Sequence, residues 1–310
     1  MKIMRERILV IGGAGFIGSH TVDHLLAEGY AVRVLDDFST GHRENLPNSH
    51  PQLEIIVGSV EDATILQTAV AGVSAVLYLA AQVSVQRSLE DPVRSAEQNI
   101  VGFVRVLERA RRHSLRVVYA SSAAVYGDPE VLPVQETAPL RPISPYGLEK
   151  YSNELYAELF GRLYGLSQLG LRYFNVYGPR QDPHSPYSGV ISRFVEQLHS
   201  RQPLTVRGDG LQERDFIHVA DVARANLAAL RGTVNGVVNV ASGTATTIGE
   251  LAELLIELNL GEGEMQWVPR QSGDIRHSQA DVSRMQQVLG QANIPLNRGL
   301  RTLLERCSAA

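Results

Sequence analysis

The sequence predicts an α/β fold: a doubly wound parallel sheet with a smaller, interleaved C-terminal α/β lobe. Three observations predict it. Short Val/Ile/Leu runs alternate with longer amphipathic stretches through the first half of the chain. Those runs show little polar alternation, as parallel strands covered on both faces do. A glycine cluster, Gly12-Gly13-Ala14-Gly15-Phe16-Ile17-Gly18, stands directly between the first run and the first amphipathic stretch.

The strand candidates are 8–11, 31–35, 53–57, 75–79, 116–120 and 167–172. Between them the spacing predicts helices over 15–28, 62–71, 92–112 and 145–164. Pro92 and Pro145 suit a first helical turn, where a missing N–H does no harm. Repeated strand–helix–strand units imply a parallel sheet. After Tyr173 the pattern changes. Residues 175–189 hold Gly178, Pro179, Pro183, Pro186 and Gly189 and read as a long loop. Shorter elements follow: helices near 190–200, 219–231 and 248–258, and strands near 204–206 and 237–240. We expect residues 1–173 to form the sheet domain, with segments near 212–241 returning to it. Residues 174–310 should supply most of a substrate-facing lobe.

Composition narrows the function. The chain has 310 residues and a net charge of −4, with 44% apolar and 20% charged residues. That is too hydrophobic for disorder and carries no basic footprint for nucleic acid. No apolar run reaches the roughly 18 residues of a membrane span; the stretch 69–81 is broken by Gly72 and Ser74. Residues 1–7 are charged with no apolar segment and cleavage site behind them, so no signal peptide is expected. The single cysteine, Cys307, excludes an internal disulfide or a multi-cysteine zinc site and points to a reducing, cytoplasmic setting. The nine histidines are scattered without a carboxylate cluster, so no metal is expected.

The glycines carry the first functional signal. In a strand–turn–helix context Gly12 permits a tight turn, Gly15 lets a pyrophosphate approach the backbone, and Gly18 lets the helix pack on the sheet. The helix N-terminus then faces the anion. Asp36, about 20 residues on and with Asp37 as rival, can accept the adenosine ribose hydroxyls. Its charge repels a 2′-phosphate, which favours NAD over NADP.

Tyr146 and Lys150 form the second signal. Four residues apart at the start of a helix, they share a face. Free tyrosine, with a pKa of about 10, is a poor base at neutral pH. A neighbouring ammonium and an oxidised nicotinamide favour the phenolate and make Tyr146 a candidate general base. Upstream, the strand end Val117 to Ala120 runs into Ser121, Ser122 and Val125-Tyr126-Gly127, placing hydroxyls where open parallel sheets bind ligands.

With these pieces in place the chain resembles the extended short-chain dehydrogenase/reductase family. Within it, the likeness is to the NAD-dependent nucleotide-sugar epimerases of the UDP-glucose/UDP-N-acetylglucosamine 4-epimerase kind. The likeness rests on residues 12–18, 121–127, 144–150, 172–178 and 208–221, with a weaker match at 273–281. It implies that Ser122, with Ser121 as the lesser candidate, Tyr146 and Lys150 are catalytic: Tyr146 takes the sugar O4 proton and Lys150 bonds the nicotinamide ribose. It also implies NAD contacts from Gly12, Gly15, Phe16, Ile17, Gly18, Asp36, Asp37, Ser59, Val60, Leu79, Ala80, Ala81, Asn99 and Tyr173. Substrate contacts would come from Ser84, Ser122, Asn175, Val190, Thr205, Arg214, Asp274, Arg276 and Ser278.

Neighbouring positions discriminate between family members. The 4,6-dehydratases carry Asp-Glu where Ala123 and Ala124 stand, and the UDP-glucuronate decarboxylases a Glu at the latter position. Alanine supplies neither acid nor base, which favours plain 4-epimerisation of a UDP-hexose. Ser278 replaces a bulky tyrosine found in some epimerases and leaves room for an N-acetyl group. Three positions depart from the family: Ser59 stands for an Asp, Val83 for a Lys, and the arginine three before Asp274 is missing, with Arg270 four back. The likeness further implies a homodimer through a four-helix bundle made by 92–112 and 145–164, with Val101, Val104, Leu107, Leu155, Leu159 and Leu163 suitably spaced. A 4-reductase, an enzyme for another nucleotide, or a non-catalytic NAD sensor remain alternatives at this stage.

Overall fold

The computed structural model describes residues 6–182, 189–270 and 275–307. Its centre is a seven-stranded sheet of β1 (Arg7–Ile11), β2 (Ala31–Asp36), β3 (Leu53–Val57), β4 (Ala75–Tyr78), β5 (Arg116–Ser122), β6 (Gln168–Tyr173) and β10 (Gly236–Val240). The order is β10-β6-β5-β4-β1-β2-β3, and every ladder is parallel. The chain runs outward from β1 to β3, then crosses back to β4 on the other side of β1. That reversal leaves a crevice at the carboxyl ends of β1 and β4, where this Rossmann-type topology binds its ligand.

Helices cover both faces because the strands are apolar on both. One face packs α1 (Phe16–Ala27) and α8 (Val219–Arg231) through Val22, Leu25, Val222 and Leu230. The other packs α2 (Ala63–Val70), α5 (Gly102–Arg112) and α6 (Pro145–Tyr164) through Leu66, Val70, Phe103, Val106, Leu107 and Ala157. Short helices α3 (Val85–Glu90) and α4 (Pro92–Ala96) precede a π-helical turn, Glu97–Val101, that leads into α5. The predicted single helix over 92–112 is therefore three segments, with Asp91 capping the first through Arg94 N at 3.0 Å.

The smaller lobe holds α7 (Val190–His199), β8 (Leu204–Arg207), α9 (Ile248–Leu258), β12 (Met265–Val268), α10 (Ser283–Val288) and α11 (Leu296–Cys307). Strands β8 and β12 pair in parallel. A second small sheet orders β11 (Ala245–Thr247), β9 (Glu213–His218) and β7 (Asn175–Tyr177). Sequence reading missed β7, which opens the predicted 175–189 loop, and missed β9, β11 and β12, where polar residues interrupt the apolar pattern. Leu107 was expected on an outward face but is 0% exposed inside the core, so it cannot join an intersubunit bundle.

Candidate active site

Four strand ends deliver the site. Gly12 follows β1 with φ +81, and a Cβ there would stand 2.6 Å from Ala80 N, so the turn requires glycine. At Gly18 a Cβ would meet Gly12 O at 2.1 Å, which is why α1 can start so close to the strand. At Gly15 a Cβ would meet, among the described residues, just Gly12 O at 3.4 Å. Gly15 caps α1 with no side-chain bond and no acidic residue lies in its first turn. The backbone there is an open cradle with the positive end of a helix behind it, which fits a pyrophosphate.

Asp36 ends β2 and is 8% exposed. Its Oδ2 accepts from Ala14 N at 2.8 Å and its Oδ1 from Phe38 N at 2.9 Å. Burial raises its pKa, and these two donors oppose that. The carboxylate thus locks onto the glycine turn and keeps further lone pairs for ribose hydroxyls. Asp37 is exposed and caps Ser39 N at 2.9 Å, so the structure favours Asp36 of the two. Ser59 Oγ accepts from Glu61 N at 3.1 Å, and Val60 is buried beside it. Leu79 and Ala80 lie at the β4 end, tied to Ile11 O at 2.8 and 3.1 Å, with Ala81 next. Tyr173 is buried and donates to Asn226 Oδ1 at 2.7 Å. Together these residues fit a dinucleotide with a free 2′-hydroxyl.

The reactive residues meet at the end of β5. Ser122 closes that strand and accepts from Ala124 N at 3.2 Å, turning the chain through Ala123–Val125. Ser144 caps α6 through Gly147 N at 3.1 Å, and Pro145 sits in the first turn. Tyr146 follows, near enough to the Ser122 side chain for that hydroxyl to lower its pKa. One turn on, Lys150 is 2% exposed; its Nζ donates to Ala120 O at 3.1 Å and lies 5.7 Å from the Tyr146 ring centroid. Burial pushes the phenol up to about 12, against the Ser122 hydroxyl that lowers it. Burial pulls the Lys150 ammonium down to about 8. In the protein alone, burial thus disfavours charge on both groups.

Gly147 sets this geometry. A Cβ there would fall 2.6 Å from Ala124 O and 3.1 Å from Pro142 Cβ. Gly147→Ala should push the first turn of α6 off the Ser122 turn and lower kcat at least about tenfold with the fold intact, since small misplacements of reacting groups are costly. Steady-state kinetics with a circular-dichroism control checks this.

Asn175, Val190, Thr205 and Arg214 line one cavity of about 240 Å³, with Tyr177, Gln181, Arg193, Arg207, Gln212 and Phe216 among the other walls. Among the described residues three guanidinium groups and no carboxylate line it, which suits a diphosphate. Sequence reading missed Gln181, Arg193 and Arg207, which sit outside any motif, and Gln212, which lies within the 208–221 stretch but was given no role. Arg214 bonds Ile275 O at 2.8 Å. Arg276 instead pairs with Asp209 at 3.0 Å, and neither it nor Ser278 lines the cavity. Asp274 lies outside the described residues. Ser84 caps α3 through Arg87 N at 2.9 Å and is 1% exposed.

A dinucleotide cradle on a doubly wound sheet, with a Ser–Tyr–Lys group at its edge, defines an extended short-chain dehydrogenase/reductase. Residues 8–241 match the model of the NAD dependent epimerase/dehydratase family. The chain belongs to that family. It is 39% identical over 301 residues to a putative UDP-glucose 4-epimerase of Methanocaldococcus jannaschii, covering 96% of this chain and 97% of the relative. Among solved structures it is similar to the UDP-N-acetylglucosamine 4-epimerase of Methanobrevibacter ruminantium bound to UDP-N-acetylmuramic acid. That match has a TM-score of 0.95 and 35% identity, and covers 99% of both chains. A Thermus thermophilus UDP-glucose 4-epimerase in complex with NAD aligns with a TM-score of 0.90 and 37% identity, covering 98% and 99% of the two chains.

Proposed function

We propose that the protein catalyses NAD-dependent 4-epimerisation of a UDP-hexose. The observation that carries this is Tyr146 beside the buried Lys150 on the first turn of α6, with Ser122 near enough to lower the phenol's pKa, at the carboxyl end of the sheet that also bears the glycine cradle. The relatives' names agree with it. The Ala123–Val125 turn presents no acid or base for elimination or decarboxylation.

Bound NAD would supply the hydride acceptor for sugar C4 and, once reduced, the donor that resets that carbon. The cradle at Gly12, Gly15 and Gly18, with Asp36, Ser59 and Asn99, holds the dinucleotide; the Asn175–Arg214 cavity holds the UDP. Tyr146 accepts the O4 proton and gives it back. Ser122 bonds the same oxygen and steers it toward the phenol. Lys150 supplies the positive charge that favours the phenolate, and the oxidised nicotinamide adds a second. Without the nicotinamide's charge, burial disfavours the phenolate, so proton transfer is favoured in the loaded site.

This reading divides the chain into a cofactor domain, 1–173 with 212–241, and a substrate lobe from the rest of 174–310. Purified protein should interconvert UDP-glucose and UDP-galactose with no net NADH; steady consumption or release of NADH would point to a reductase instead. We also propose that N-acetylated UDP-hexoses are substrates. Ser278 is small, and the Methanobrevibacter relative is named for an N-acetyl sugar. Turnover of UDP-GlcNAc should lie within about tenfold of UDP-glucose, the cost of a methylene-scale misfit; its absence would reject this extension.

A homodimer through α5 and α6 completes the proposal. Val101, Leu155, Leu159 and Leu163 are 44%, 49%, 38% and 62% exposed, an apolar strip on neighbouring helices. Leu159→Glu should convert a dimer to a monomer in light scattering. The single cysteine supports a cytoplasmic setting, and no helix among the described residues is long and apolar enough to cross a membrane.

A further inference from the structure

We propose that Glu149 is a positioning residue whose buried carboxylate serves as counter-charge to Lys150 and ties the loop after β4 to the helix carrying Tyr146 and Lys150. The inference rests on the epimerase reading for its kinetic consequence, but not for its stability consequence.

Glu149 is 3% exposed, beside Lys150 in sequence and one turn from Tyr146. Its Oε2 accepts from Ser95 Oγ at 3.0 Å and Asn99 Nδ2 at 2.6 Å. The same Nδ2 donates to Gln82 O at 2.8 Å, and Asn99 Oδ1 accepts from Gln82 N at 2.8 Å. Gln82 in turn holds Ser84 O at 2.9 Å through its side-chain amide. One carboxylate oxygen therefore anchors the loop that runs from Leu79 past Ala81 to Ser84. The π-helical turn at Glu97–Val101 is what places Asn99 inward for this bond.

The other oxygen, Oε1, is buried with no hydrogen-bond partner among the described residues, as is Asn153 Oδ1 four residues on. A bare buried carboxylate oxygen costs stability, so its place here asks for a role in the site. The nearest opposite charge along the helix is Lys150, equally buried, whose ammonium donates to a neutral carbonyl. Buried beside Lys150 on the first turns of α6, the Glu149 charge raises the pKa of both Lys150 and Tyr146. On the elements packed around α6, Arg87, Glu90, Arg94 and Glu97 are exposed, and Arg172 is committed to Glu154. Glu108 is taken by Arg111 and Arg112, Arg109 bonds Gln67, and Arg105 is exposed. Arg116 is at the far end of β5 on Ala229 O and Val234 O, and the Tyr78, Tyr119 and Tyr173 phenols are held neutral by burial.

Glu149→Gln keeps the shape and one acceptor but removes the charge. Removing a negative charge lowers both apparent pKa values of the Tyr146–Lys150 pair, whichever residue each belongs to. The kcat–pH profile of E149Q should slide to lower pH by on the order of one unit at both limbs. Glu149→Asp restores the charge and should return the profile to its wild-type position. The second readout is a double-mutant cycle on thermal midpoints of the NAD-loaded protein: wild type, E149Q, K150M and E149Q/K150M. Expected is strong non-additivity, with the double variant melting above K150M. Additive midpoints, or an unmoved E149Q profile, would overturn the proposal. Should E149Q alone fail to fold, a folded double variant supports it and an unfolded one refutes it. Wild-type protein inert toward every UDP-hexose would instead sink the functional reading, while the stability cycle still judges Glu149.

Discussion

Tyr146→Phe should lose about a thousandfold in kcat while keeping its bound NAD, because only the proton-transfer oxygen is removed. The ring stays packed against Lys150 and the first turn of α6 is unchanged, so cofactor binding by the glycine cradle and Asp36 is untouched. The phenol lies near Ser122, and among the described residues the neighbours offer no substitute: Ala123 and Ala124 carry no titratable group, and Lys150 is turned to Ala120 O. Stopped assays with a cofactor-content measurement check both halves. A variant that keeps more than about a tenth of the wild-type rate would remove Tyr146 from the chemistry.

Glu154→Gln should cost about 3–5 kcal/mol of stability, because it leaves a buried guanidinium without its counter-charge. Glu154 on α6 receives Arg172 Nε at 2.9 Å and Nη2 at 2.7 Å, and Ser121 Oγ at 2.5 Å. Side-chain exposures of 3% and 7% put the pair inside the protein. Arg172 Nη1 also donates to the Tyr126 hydroxyl at 2.8 Å, which donates to Asn239 Oδ1 at 2.6 Å. Burial lowers the Arg172 pKa, but the carboxylate more than reverses that. The network ties β5, β6, β10 and α6 together one residue from Ser122. Glu154→Leu with Arg172→Met should recover most of the loss, as apolar replacement of a whole buried pair does. Denaturant midpoints of the single and double variants test this.

The parallel sheet was legible because its strands are buried on both faces and read as plain apolar runs; Leu9, Val34, Val76 and Val118 are all 0% exposed. The glycine turn and the Tyr146–Lys150 pair were legible because their chemistry demands fixed local spacing. What was hidden depends on tertiary contact. Arg193 and Arg207 join a cavity only once α7 and β8 are folded beside β7 and β9. Glu149 reads as an ordinary helix residue until Asn99 is brought to it from 50 positions away. Arg276, expected at the substrate from sequence, pairs with Asp209 in this structure. Leu107 had the right period for an outward face, but the period cannot say which face is outward.

The decisive measurement follows the hydrogen at C4. UDP-glucose deuterated at that carbon, turned over in ordinary water by the purified protein, should yield UDP-galactose with the deuterium still at C4 and none in solvent. Product lacking the label, or label appearing in free NADH, would contradict a reaction in which one bound dinucleotide takes the hydride and gives it back.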